Sequence, residues 1–244
     1  MNNTEIFEEA IKLANISLRG NKKLIIVLGC LGDFDSIEYA QNLHKCLDKL
    51  IDSSIDLLIF GIGNDETKKR FAFYTGLPQE NILVVKEASI HNKLGLCKGS
   101  LKTDSSYINL MLMCAGIDSP GTLKQVLRGY IGDCDSKAIF GQEKEQMINN
   151  IPIFVYSIYN SLNFNDRLRP LELATLRLIN MIEILVNWKI YMPYPENLTQ
   201  RGGTFFFNNH FELLYSYKPR SLLGYAQNMS KPLEFLDKWL ILQK

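Results

Sequence analysis

The sequence predicts an α/β fold: a mixed sheet flanked by helices. Three observations lead there. Apolar runs at Leu24–Leu28, Ile55–Phe60 and Ile82–Val85 are continuous rather than alternating, as strands buried on both faces require. Helical patterns of ordinary length separate them, the βαβ order of a parallel sheet. Late in the chain, Thr204–Phe207 and His210–Tyr217 flank Asn208-Asn209 and read as a hairpin, which adds antiparallel strands.

Each element has its own signal. Residues 4–18 place Ile6, Phe7, Ala10, Ile11 and Ala14 on one side of a helix. Residues 34–51 carry Ile37, Ala40, Leu43, Leu47, Leu50 and Ile51 at helical spacing, with Asp35 and Glu38 suited to a capping box. Asp65–Gly76 is a helix, with Gly76 at its C-terminal cap and Pro78 just beyond. A short helix over 88–96 stops at Gly95. Between residues 100 and 200 two helices are predicted, Ser119–Gly129 and Pro170–Trp188, with an irregular stretch over 131–169. Residues 232–240 read as a closing helix, with Leu233, Leu236 and Leu240 on one face.

This predicts one domain over 1–244, its core formed by 22–98 and 199–240, with a largely helical insertion of about 100 residues at 100–198. The 244 residues include 46% apolar and 22% charged side chains, enough for a core without metals or disulfides. A net charge of +1 gives no strong pull toward nucleic acid or anionic membrane. Charged residues interrupt the apolar segment Leu176–Tyr191, so no membrane span is read. No leader segment is recognised, and the odd number of cysteines, five, fits a reducing cytoplasm.

The chemistry-bearing residues gather at the first strand-to-helix corner, Gly29-Cys30-Leu31-Gly32-Asp33-Phe34-Asp35-Ser36. Cys30 ends a buried strand near a helix start, where a thiol's pKa is easily shifted. The plainer reading is a small apolar residue filling the turn, as free cysteines are usually buried. Cys46 and Cys114 read as core, Cys134 as an inert loop thiol between two acids, and Cys97 as partly exposed. The Asp33-x-Asp35 spacing also occurs in Mg²⁺ phosphohydrolases, yet helix capping accounts for both acids. Gly61-Ile62-Gly63 lacks the third glycine of a dinucleotide turn and has Glu66 in its place. His44, His91 and His210 share no ligand spacing, so no metal or cofactor is predicted.

Several segments carry a resemblance. The order βαβαβ, insertion, hairpin, helix is that of a thioredoxin-like domain. Ser89–Leu96, Gln200–Phe207 with its Arg201-Gly202 entry, and Ile37–Ala40 resemble the peroxiredoxin-like branch of the alkyl hydroperoxide reductase/thiol-specific antioxidant family. The resemblance covers roughly 22–98 and 199–240. In those relatives the corner reads Gly-Cys-x-x-Cys-x-Glu. Here Gly32 takes the glycine, Asp33 the first cysteine and Ser36 the second. Arg201 falls on the arginine that stabilises a thiolate and orients a peroxide. The resemblance thus implies a thiol oxidoreductase or peroxidase with Cys30 as nucleophile, Arg201 as its electrostatic helper, and a thiol reductant. Arg201 is equally suited to holding Asp33 or Asp35. A redox-silent scaffold, meeting a protein partner through the insertion, is the rival; the phosphohydrolase is a third reading.

Overall fold

A computed structural model describes residues 3–14, 16–140 and 169–240. Five strands form one sheet: β1 (Lys22–Cys30), β2 (Ile55–Ile62), β3 (Ile82–Val85), β4 (Gly203–Phe207) and β5 (Leu213–Tyr217), in the order β3-β2-β1-β4-β5. β1 runs parallel to β2, and β2 to β3. β4 is antiparallel to β1, with Val27 opposite Gly203 and Lys23 opposite Phe207, and β5 is antiparallel to β4. This is a thioredoxin-like sheet.

Strand alternation sorts the apolar runs onto two cores. Leu24, Ile26, Leu28, Leu57, Ile59 and Phe206 face one side. There they meet α2 (Phe34–His44) and α4 (Asp65–Thr75), with Ile184 of α8 (Glu172–Val186) in the same core. Ile25, Val27, Leu58, Phe60, Phe205 and Phe207 face the other, against α1 (Asn3–Leu13) and α5 (Ser89–Lys93). Phe7 of α1 sits among Phe60, Phe205 and Phe207, with ring centroids 5.0–6.1 Å away. A fully buried Phe contributes about 1.5–3 kcal/mol of transfer free energy, so this one ring anchors α1 to the sheet.

Polar ties lock the helices on the opposite face. Arg70 of α4 forks onto Glu183 of α8 at 2.6 and 2.8 Å. Arg177 of α8 reaches Glu38 of α2 at 2.6 and 3.3 Å. Buried Gln41 and Asn180 exchange amide hydrogen bonds, and the Tyr74 hydroxyl donates to Asn180 Oδ1.

Several local expectations need correcting. The predicted 34–51 helix divides into α2 and α3 (Leu47–Asp52), because Cys46 N–H bonds back three residues to Leu43 O, tightening the turn. The capping box does not form at Asp35. Asp33 caps α2, accepting from Ser36 N at 2.6 Å, and Asp35 turns inward. Residues 232–240 contain only a short 3₁₀ turn at Glu234–Leu236. An unforeseen helix, α6 (Ser106–Cys114), precedes α7 (Thr122–Ile131), and α9 (Trp188–Tyr191) follows α8. Cys46 and Cys114 are half-buried rather than core. Asn208–Glu212 makes a wider turn than predicted, with Phe211 at φ 57° and Asn208 Oδ1 accepting from His210 N and Glu212 N. Most of the predicted irregular stretch, 141–168, lies outside the described residues.

Candidate functional site

The first corner lies beside Arg201. Arg201 lies on the segment that leads into β4, and antiparallel pairing with β1 carries it to the end of that strand. Glycines permit this approach: a Cβ on Gly202 would stand 1.9 Å from Val27 O, and one on Gly29 2.2 Å from Gln200 O. Arg201 is fully buried. It donates from Nη2 to Asp35 Oδ2 at 3.1 Å and to Leu222 O at 3.0 Å, and from Nε to Ser221 O at 3.1 Å. Its Nη1 lies 3.7 Å from Asp33 Oδ2, beyond hydrogen-bond range.

The segment Ser221–Ala226 closes over this corner as a buried strap. Gly224 N–H donates to Asp35 Oδ2 at 3.0 Å. The Tyr225 hydroxyl accepts from Gly29 N at 2.7 Å and stands 3.3 Å from Ser36 Oγ. Its ring stacks on Tyr39 with centroids 5.4 Å apart, and its carbonyl accepts from Thr204 Oγ1. Leu222 N–H is held by Ser119 Oγ and Thr122 Oγ1 at 2.7 and 3.0 Å. Nothing in the periodicity of 218–226 announces this strap. Its signal is a Leu-Leu-Gly-Tyr tract outside any helix or strand pattern.

Cys30 is 2% exposed. Its Sγ donates to Asn197 O at 3.3 Å, and its side chain packs with Ile62, Met192 and Leu198. Burial and the negative charge of Asp33 push the thiol pKa far up, and Arg201 opposes them incompletely. A hydrogen bond given to a carbonyl also favours the thiol over the thiolate. Ser36 is fully buried against Tyr225. A cavity of about 20 Å³, the size of one water molecule, lies at the corner. Gly32, Asp33, Phe34 and Asp35 line one side of it, and Leu110, Trp188, Met192 and Leu198 are among its apolar walls.

The two acids are unequal. Burial raises both carboxyl pKa values, with Arg201 working against it. Asp35 is pushed up to about 8, Asp33 adding to the effect. Arg201 stays charged: burial disfavours its cation, but Asp33, Tyr225 and Asp35 more than offset this. The corner is therefore a closed Asp–Asp–Arg cluster beside a neutral thiol.

Comparison with protein families decides the relationship, since the model of the AhpC/TSA antioxidant enzyme matches residues 42–221. The chain belongs to the AhpC/TSA family. It is a peroxiredoxin-like, thioredoxin-fold antioxidant-family protein in general terms. The match begins inside α2, so β1 and the Gly29–Ser36 corner precede it, whereas Arg201 and Ser221 fall within it. No curated protein and no solved structure matches. Among the described residues no His/Cys/Asp/Glu group has metal-binding geometry, and no helix is long and apolar enough to cross a membrane.

Proposed function

We propose that this AhpC/TSA family member is a redox-silent thioredoxin-fold binding protein. One observation carries the reading: the Cys30 thiol at the corner is buried and hydrogen-bonded to a carbonyl, and the resemblance sets Asp33 and Ser36, neither a thiol, on the relatives' cysteines. A peroxidatic sulfur must be ionised and reachable by the peroxide, and Cys30 is neither. The partner surface then falls on the insertion. Leu123, Leu127 and Tyr130 of α7 and Leu178, Ile182 and Leu185 of α8 are exposed there. The five free cysteines support a reducing, cytoplasmic setting.

A second reading keeps the thiol oxidoreductase or peroxidase, with Cys30 as nucleophile, Arg201 lowering its pKa and a thiol reductant closing the cycle. Family membership favours it, as does the pull of Arg201 on that pKa. The Mg²⁺ phosphohydrolase has less support, because Asp33 and Asp35 are committed to a helix amide, a guanidinium and a strap amide. Mild peroxide followed by mass spectrometry separates the first two readings. On the binding reading, exposed Cys134 oxidises ahead of Cys30. Fast, selective sulfenylation of Cys30 that disappears in Cys30→Ser would establish the peroxidase instead.

A further inference from the structure

Two carboxyls and one guanidinium share the closed corner. Glu38, one turn further along α2, brings no spare cation, because Arg177 forks onto it and Arg128, whose Nη2 lies 3.5 Å from it, is balanced by Asp133 at 2.8 Å. Other groups act on Asp35 from every side. Tyr39 lies on α2, Tyr217 on β5, Tyr225 on the strap, Arg177 on α8, Asp33 before α2, and Arg201 at the entry to β4. The phenols carry no charge near neutral pH, their own pKa values being raised by burial. If both acids ionise, the sealed cluster is one negative charge in excess, and a buried excess charge is costly.

The side chains that share this charge also hold the strap. Asp35 Oδ2 accepts from Gly224 N and Arg201 Nη2, and Arg201 binds the carbonyls of Ser221 and Leu222. The cluster has slack. Asp35 Oδ1, Asp33 Oδ2 and Arg201 Nη1 are buried without hydrogen-bond partners. A guanidinium drawn toward Asp33 would close the 3.7 Å gap and leave its carbonyls.

We propose that Ser221–Ala226 is a proton-set latch over the corner, closed while the Asp33–Asp35–Arg201 cluster keeps one proton and loosened as that proton is lost. The sign follows from linkage. The closed state binds a proton at Asp35 up to about pH 8, whereas an opened, solvated Asp35 releases it near pH 4. Opening therefore becomes more favourable as pH rises between those values and levels off above about 8. Loosening uncovers the start of α2 and Arg201, the part of the fold where relatives do their chemistry. The contacts of Leu222 N with Ser119 and Thr122, and of Tyr225 with Gly29, do not titrate in this range and serve as hinges.

Hydrogen exchange read by mass spectrometry tests the latch on the full chain. Rates at pH 5.5, 6.5 and 7.5 are divided by intrinsic rates for a peptide spanning 219–227, with α4 as internal control. Opening of the strap should rise by up to about tenfold per pH unit while α4 stays level. Asp35→Asn should flatten the strap's response, and Asp33→Asn should do the same where the first variant folds poorly. A strap whose normalised exchange ignores pH in the unmodified protein overturns the proposal. So does a pH response that survives neutralisation of either acid.

Discussion

Replacing Arg201 with Met removes the only cation among the described residues that lies beside both Asp33 and Asp35, while keeping most of the side-chain volume. Three hydrogen bonds disappear, to Asp35 Oδ2, Ser221 O and Leu222 O. Breaking a buried pair from one side costs about 3–5 kcal/mol, because the remaining charge stays behind uncompensated. In a domain of this size each kcal/mol shifts Tm by roughly 2–4 °C, so the variant should melt about 6–20 °C lower at pH 7. Urea unfolding gives the same quantity as a free energy. The loss should shrink at pH 5, where the orphaned acids protonate at less cost. Arg201→Met combined with Asp33→Asn should recover part of it, since Asp33 carries the abandoned charge while Asp35 keeps its proton, and Asn still caps α2. A loss under about 1 kcal/mol at pH 7, or a double variant no better than the single one, would refute the reasoning.

Gly202→Ala forces a methyl to within 1.9 Å of Val27 O and 2.6 Å of the Tyr225 ring. It should destabilise by more than about 3 kcal/mol, beyond ordinary overpacking, and a urea midpoint close to that of the parent would contradict this. His91 is buried and donates from Nε2 to Leu28 O at 2.7 Å. Burial holds its pKa down, to about 4, against that bond. A depressed histidine is neutral in the folded state and takes up its proton on unfolding. Its contribution is complete above about pH 6.5 and is lost as pH falls toward 4. On going from pH 7 to pH 5 the urea midpoint should therefore fall further, or rise less, in the parent than in His91→Gln. Asp35 drives stability the opposite way across the same window, so the difference between variant and parent isolates the histidine.

Legibility in the sequence followed burial. β1 and β2 stood out because both faces of the sheet are covered there, leaving unbroken apolar runs. α4 was bounded correctly because Gly76 adopts φ 78° at its end and Asn64 caps its start. The pairing of Arg201 with an acid was open to inspection, since a guanidinium brought to two nearby carboxyls has little other recourse. Asp35 in the role of cap was misread because short-range spacing favours the local bond, and only tertiary folding supplies the competing guanidinium. α6 escaped notice because its sequence is apolar with no dominant stripe, its exposed Tyr107, Ile108 and Met111 lying close to buried Asn109 and Met113. The 221–226 strap was invisible for a related reason: its hydrogen bonds run to partners about 20 to 196 residues away, and no local pattern encodes them.

The position of β1 at the centre of the sheet has a consequence for synthesis. Its neighbour β2 emerges from the ribosome soon after it, but β4, which covers its other edge, ends at Phe207. At 5–20 residues per second the wait is roughly 7–30 s. Throughout that interval the nascent chain presents an apolar strand with an open ladder of amides and carbonyls, the kind of surface that recruits chaperones or seeds aggregates. The last fifth of the polypeptide thus decides whether the first quarter survives translation.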